Sequence, residues 1–396
     1  MTIAVIGSGV AGLGAAYALS RTHEVELFEA EARPGGHVNT IDVAGLGLDT
    51  GFLVHNTANY PKLTRLFREL GVETQESEMS FSVSCACGLE WSSRRPWTCG
   101  RSLLREIVRF LRTANATEAD GLTLAEYVAA HGYSDSFRRH FLVPMTAALW
   151  STAPPLALEF PADTLIRFFD NHRMLGFRRH RWLTVSGGSR TYVSAMLDRS
   201  GARVHLGAPV RSLRRTPDGV ELHTCDGETW RFYGVVVATH APQALALLAD
   251  PSDDERRLLS VFATTPNETV LHTDASVLPR SRAAHASWNV RMQTCGGEQA
   301  KPTMTYLLNR LQRLGGDEQY CVTLNETAAL DQGRIIRTIQ YEHPQMTRAS
   351  VAAQAKLQTL NGPRATAFCG AWQGNGFHEA GLASGLRAAE AFGARW

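Results

Sequence analysis

Residues 3–12 read Ile3-Ala4-Val5-Ile6-Gly7-Ser8-Gly9-Val10-Ala11-Gly12. The first four are apolar and describe a buried strand. The glycines that follow describe a turn into a helix. Gly7 permits the tight turn, Gly9 lets backbone approach a ligand, and Gly12 lets helix and strand pack closely. A second apolar stretch ends at Glu29, about 20 residues further on. A helix N-terminus presents unpaired N–H groups and the positive end of its dipole. Together these features describe a βαβ unit that binds the pyrophosphate of a dinucleotide, with the Glu29 carboxylate on a ribose hydroxyl. An acid there disfavours a 2′-phosphate. A glycine turn without a ligand is the alternative, and the motif alone leaves NAD and FAD both open.

The next residues extend the pattern. Ala30 follows the acid, and Arg33-Pro34-Gly35-Gly36-His37 places two more glycines where backbone can graze a ligand, with an arginine for phosphate charge. Residues 40–54 alternate as strands. Helical spacing begins at Pro61 and stops at Gly71. Further helices are expected over 102–112, 122–131 and 134–150, the last with Ser134 as N-cap. Strands are expected at 202–206 and 219–224. Gly234-Val235-Val236-Val237-Ala238-Thr239 reads as a strand buried on both faces. Short strands at 268–273, 303–308, 319–324 and 334–341 precede a final strand at 365–370 and a helix over about 380–393. Nucleotide-type segments therefore occur at the start, middle and end, separated by one mainly helical and one mainly stranded insertion.

The chain has 396 residues, enough for two intimately connected domains. Forty basic and 38 acidic residues leave a net charge of +2, so no field for nucleic acid follows. Seven cysteines, at 85, 87, 99, 225, 295, 321 and 369, are scattered and odd in number. Cys85-Ala86-Cys87 has one intervening residue, not the two usual in zinc or redox pairs. Reduced thiols and no metal site are expected, with a disulfide or metal role for Cys85 and Cys87 as the alternative. The N-terminal apolar residues belong to the glycine motif, and no run of about 20 apolar residues occurs. A soluble, cytoplasmic protein is expected.

The sequence resembles FAD-dependent oxidoreductases of the flavin amine oxidase and phytoene desaturase superfamily over essentially its full length. Within it, the chain is most similar to bacterial proteins described as NAD/FAD-binding and amine-oxidase-like. The resemblance rests on the Gly7–Gly12 motif with Glu29, on Arg33-Pro34-Gly35-Gly36, on Pro209-Val210 with Ala238-Thr239, and on Phe368-Cys369-Gly370-Ala371 through Gly376-Phe377-His378-Glu379-Ala380-Gly381-Leu382. Longer strings add Asp49-Thr50-Gly51-Phe52, Gly187-Gly188-Ser189-Arg190, Ser287-Trp288-Asn289, Asn309-Arg310-Leu311-Gln312 and Tyr341-Glu342-His343-Pro344. It implies an α/β fold in which a Rossmann-like FAD-binding domain (1–55, 185–265 and 346–396) is interleaved with a mixed α+β substrate-binding domain (56–184 and 266–345). It also implies that the Val210 backbone meets adenine, and that Gly370, Ala371, Gly376, Phe377 and Gly381 face the flavin. A lysine beside the flavin is common in such amine oxidases, and Lys301 is the candidate here.

The flavin would supply the redox step, so the sequence constrains cofactor better than substrate. His37, His55, His378 and Glu379 are the candidate catalytic groups. Asn56, Tyr306, Asn309 and Arg310 are weaker candidates for lining the substrate pocket. Trp150, Phe160, Phe168, Phe169, Phe177 and Trp182 form either core or a tunnel for a long apolar substrate. Arg167, His172, Arg173, Arg178, Arg179, His180 and Arg181 form a solvated basic face or a peripheral contact with an anionic membrane. The favoured reading is hydride transfer between flavin N5 and an apolar, lipid- or polyene-like substrate, by desaturation or isomerisation. An amine oxidase using oxygen, a non-catalytic FAD-binding protein and an NAD-dependent dehydrogenase are the alternatives. The electron acceptor and oligomeric state are not readable.

Overall fold

The structure is a computed structural model describing residues 1–150, 154–175, 180–295 and 303–396. The strand Thr2–Ile6 lies at the centre of a five-stranded parallel sheet. Gly234–Val237 and then Thr366–Phe368 extend it on one side. Glu24–Phe28 and then Arg203–His205 extend it on the other. Ile3, Ala4, Val5, Val235, Val236 and Val237 are fully buried, as a strand covered on both faces requires.

One face is covered by the helix Val10–Leu19, every residue of which is buried. Against it lies the helix His378–Glu390. Three glycines set their separation. A Cβ on Gly385 would overlap the Ala11 carbonyl oxygen, one on Gly14 would sit 2.8 Å from Leu382 Cδ1, and one on Gly381 would sit 2.7 Å from Val10 Cγ1. The last helix begins at His378, ahead of the position expected for it, and Gly381 packs against Val10.

The other face meets the antiparallel strands Val210–Thr216, Gly219–Thr224 and Thr229–Phe232, and the helices Ala241–Leu247 and Asp253–Leu259. Phe28, Leu213, Leu222, Phe232 and Leu259 pack between them. Arg215 is buried in this layer against Glu255.

The second layer is a seven-stranded sheet in the order 335–344, 264–272, 321–324, 303–307, 288–292, 81–85, 90–92. Only the pairing of Phe81–Cys85 with Trp288–Met292 is parallel. The expected stranded segments are all present here. The strands Trp288–Met292, Phe81–Cys85 and Glu90–Ser92 were not anticipated, although Phe81-Ser82-Val83-Ser84-Cys85 and Trp288-Asn289-Val290-Arg291-Met292 alternate apolar and polar residues as strands do. Those polar side chains are satisfied across the sheet, with Ser82 Oγ donating to Asn289 Oδ1 at 2.8 Å.

Helices pack around this sheet, except that Pro61–Leu70 buries Leu63, Leu66 and Phe67 in the first layer, beside the helices His378–Glu390 and Arg190–Ser200. Pro61–Leu70 ends at Gly71 with φ +70°, the left-handed conformation that glycine permits. Arg101–Thr113 and Leu124–Ala130 follow. The expected continuous helix over 134–150 is instead Asp135–Phe137, a π turn Arg138–Leu142, and Val143–Trp150. Ser134 caps it, accepting from the Phe137 N–H. Pro144 has no N–H to offer the carbonyl of His140, which accepts from Trp91 Nε1 at 3.1 Å instead. No helix among the described residues is long and apolar enough to cross a membrane.

Candidate active site

A cavity of about 1470 Å³ runs between the two layers. It exceeds the roughly 300–1,000 Å³ of an ordinary small-molecule pocket. One end is formed by Gly7–Ala11, Glu29, Ala30, Pro209, Val210, Ala238 and Thr239. The middle is formed by Gly35–His37, Gly51–Val54, Gln340–Pro344, Gly370–Trp372 and Gly376–His378. The remaining wall joins an apolar stretch, with Leu104, Ile107, Val108 and Leu111 from one helix, Phe141, Met145 and Leu149 from another, and Phe168 and Phe169 from a third, to a charged one with Glu76, Glu78, His172, Arg173 and Arg181.

The first end is rigid. Gly7 has φ +98°, and its N–H donates to the Phe28 carbonyl at 2.8 Å. A Cβ on Gly12 would overlap the Gly7 carbonyl oxygen, so that glycine packs beneath the turn and not on the cavity wall. Gly35 N–H donates to Ser8 Oγ at 3.0 Å, which ties the second glycine pair to the first turn. Glu29 Oε2 accepts from Ser8 N–H at 2.9 Å and also from its hydroxyl, and Oε1 accepts from Glu31 N–H. Gly9 faces open space, with no heavy atom within 4 Å of where its Cβ would lie.

Histidines gather in the middle. The His37 ring stacks on Tyr341 at 4.8 Å, with His343 at 5.3 Å and His240 at 6.2 Å. Its Nε2 is buried without a partner among the described residues. Burial, then the neighbouring imidazoles, hold His37 well below the ordinary histidine range. Tyr341 is fixed in turn, its hydroxyl 2.7 Å from Thr50 Oγ1. His378 stacks on Phe52 at 3.9 Å and shares a 2.7 Å hydrogen bond with the Tyr192 hydroxyl. Burial brings it down to about 3, so its imidazole is neutral at physiological pH.

The sequence model of flavin-containing amine oxidoreductases matches residues 10–282. The chain belongs to the flavin-containing amine oxidoreductase family. FAD is accordingly its cofactor. AofH of Mycobacterium tuberculosis, assigned by name as a flavin-containing monoamine oxidase, is 27% identical over 287 residues. That match spans 63% of this chain and 59% of the relative. Among solved structures, a redesigned putrescine oxidase superposes with a TM-score of 0.70 at 15% identity, over 99% of this chain and 100% of that one. A fatty acid isomerase of P. acnes that produces CLA superposes with a TM-score of 0.70 at 16% identity, over 97% and 96%. These likenesses establish the fold.

The flavin-containing family's cofactor fits what is present. The open face of Gly9 and the fixed Glu29 carboxylate lie at one end, and the unpartnered His37 Nε2 points to a missing polar neighbour further along. Eight of the sequence candidates sit off the cavity wall, and Gly12, beneath the turn, is the first of them. Arg33 pairs with Glu31 at 3.0 Å. Glu379 accepts from the N–H groups of Lys62 and Leu63 and so caps the helix Pro61–Leu70. His55 exchanges backbone hydrogen bonds with Leu183 behind the wall. Asn56 accepts from the N–H groups of Ala58 and Asn59. Asn309 closes its loop on Glu318 and Tyr320. Arg310 pairs with Glu78 at 3.0 Å. Gly381, as described, packs on Val10. Tyr306 and the other cofactor candidates from Gly7 to His378 line the cavity. Lys301, Phe177, Arg178 and Arg179 lie outside the described residues. Sequence reasoning passed over His240 and the Leu104–Leu111 face, although Leu104, Ile107, Val108 and Leu111 follow the i, i+3, i+4, i+7 spacing of one helix face.

The buried histidines have a measurable consequence. Burial lowers His55, His172 and His272 to about 4. A group whose folded value lies below its unfolded value of about 6.5 binds protons more readily when unfolded, so stability is lost as pH falls. Between pH 6.5 and 5.5 each costs about 1 kcal/mol. Asp49, raised by burial to about 6, runs the other way and offsets somewhat under 1 kcal/mol. His343 and His378, lowered by burial to about 4 and about 3, add about 1 kcal/mol each, so a net loss of about 4 kcal/mol over that interval is expected in urea melts. A flat profile would contradict it.

Proposed function

We propose that the chain oxidises or isomerises a long apolar substrate, such as an unsaturated fatty acyl chain, held in the Leu104–Phe169 chamber. The observation that carries this is the chamber's wall, where aliphatic and aromatic side chains from three helices meet. Among the wall carboxylates, Glu78 is paired with Arg94 and Arg310, and Glu76 with Arg181 and Arg313. These two are spoken for and an ammonium substrate would find them neutralised, while Glu342 on the middle wall accepts from Thr264 Oγ1. Arg173 at the exposed part of the lining suits an anionic head group.

The FAD-binding part in this reading comprises 1–55, 185–265 and 346–396, and the substrate part 56–184 and 266–345. The N–H groups at the helix start beside Gly9 would receive the pyrophosphate, Glu29 a ribose hydroxyl and Val210 the adenine. Bound FAD supplies a two-electron acceptor in contact with the substrate. His37 and His378 are neutral groups on the middle wall and would donate or accept one hydrogen bond each to flavin or substrate. The apolar walls exclude water from that contact.

Anaerobic titration of the yellow protein tests the reading. Unsaturated fatty acids are expected to bleach the flavin, or to emerge with a shifted double bond, and amines to do neither. Ile107→Trp, which fills the chamber, is expected to weaken the response to long chains by about tenfold or more, the cost of excluding a methylene or two from a pocket. Bleaching by amines alone would establish an amine oxidase instead.

A further inference from the structure

Remote from the glycine cradle, four side chains converge where the seven-stranded sheet meets the helical insertion. Cys85 ends the strand Phe81–Cys85, and Cys87 lies in the turn that follows it. His140 lies in the π turn, and Cys295 follows the strand Trp288–Met292. Their three sulfurs and the His140 nitrogen all lie within 4.8 Å of one another. His140 Nε2 is 3.8 Å from Cys87 Sγ and 3.6 Å from Cys295 Sγ. Tetrahedral zinc, with bonds of about 2.3 Å to sulfur and about 2.0–2.1 Å to nitrogen, separates its ligand atoms by about 3.5–3.8 Å.

We propose that Cys85, Cys87, His140 and Cys295 form a structural zinc site. Three thiolates and one imidazole make a closed four-ligand set of the kind zinc prefers, with no position left for substrate. The surroundings agree. Ser136 Oγ lies 3.4 Å from His140 Nδ1 and holds the ring so that Nε2 faces the sulfurs, as the outer neighbours of metal-bound histidines do. The Ala86 N–H donates to the Met292 carbonyl at 3.0 Å, which pins the Cys85–Cys87 turn to the strand leading to Cys295. The His140 backbone is held by Trp91. The π turn supplies the register that turns His140 inward while Phe141 and, further on, Met145 reach the cavity wall. Binding displaces the thiol protons to solvent, and the metal stays divalent. The clamp would join a hairpin, a sheet strand and a chamber-wall helix that are otherwise far apart in the chain.

The test uses the full-length holoprotein. Elemental analysis of protein from zinc-supplemented cells is expected to give about one zinc per chain. Reconstitution with cobalt(II) is expected to give the intense red-region absorption of a tetrahedral thiolate site, at wavelengths beyond the flavin bands. Cys87→Ser and Cys295→Ser are expected to carry zinc reduced about tenfold or more. Cys225→Ser, at an exposed cysteine elsewhere, is expected to match the wild type. The proposal is overturned if wild-type protein holds no zinc and gives no cobalt bands, if its cysteines are found as a Cys87–Cys295 disulfide, or if the two variants retain full zinc. Should the variants not fold, the wild-type zinc content and cobalt spectrum decide.

Discussion

Gly9→Val is expected to yield a folded but colourless protein. Gly9 is extended, at φ −63° and ψ 173°, so valine adopts its backbone without strain. Nothing in the protein would meet the new side chain at its base. The side chain would instead occupy the space above the helix start, where the proposed pyrophosphate lies. FAD affinity should fall by about 100-fold or more, equivalent to about 2.8 kcal/mol, with the thermal midpoint of the apoprotein close to that of the wild type. Gly12→Val makes the contrast, because its Cβ would overlap the Gly7 carbonyl oxygen and the turn itself cannot form. Flavin absorbance after gel filtration and a thermal melt read both effects. Full flavin occupancy in Gly9→Val would place the dinucleotide elsewhere.

Arg215→Ala is expected to cost about 3–5 kcal/mol of stability. The Arg215 side chain is 2% exposed and that of Glu255 is 6%. The guanidinium donates from Nη1 and Nη2 to the two Glu255 oxygens at 2.7 and 3.0 Å, and from Nε to Asp250 Oδ1 at 3.0 Å. Removing it strands a buried carboxylate. The Arg215→Met, Glu255→Leu double variant should recover most of the loss, because no unpaired charge remains. Urea denaturation measures both, and a single-variant loss below about 1 kcal/mol would mean water reaches Glu255.

The nucleotide layer was readable because its signals are local. The Gly7–Gly12 turn, the Gly71 stop and the run Val235–Val237 each declare their conformation within a few residues. The candidate site was read less evenly. Glycines at the cavity were found by spacing, whereas polar side chains were not separable from structural ones. Asp49 illustrates the difficulty. The string Asp49-Thr50-Gly51 looks like a ligand loop, yet the Asp49 carboxylate accepts from the N–H and hydroxyl of Ser189 and from Thr40. Its backbone N–H donates to Gln312 Oε1. Three of the family-like strings thus meet one another, and the pairing spans 140 residues or more. No sequence window shows a contact of that span. Glu379 was singled out for its place beside His378, but one residue's shift around a helix turns a side chain from the cavity to a neighbouring helix end. The cluster around His140 was half visible, with a metal role for Cys85 and Cys87 standing as the alternative, and distance hid His140 and Cys295. Its cysteines and histidine are far apart in sequence, and Cys85 and Cys87 have a spacing that zinc motifs rarely use.

The contact between the helices Val10–Leu19 and His378–Glu390 orders events during synthesis. The helix Val10–Leu19 leaves the ribosome long before the helix that covers it, and the strand Thr366–Phe368 beside that cover arrives only slightly sooner. While the residues between the two helices are being made, the glycine-lined flank of Val10–Leu19 therefore stands bare. Nascent chains stalled before residue 366 are expected to recruit holdase chaperones and to bind no flavin, and release of the remaining residues to end both conditions together.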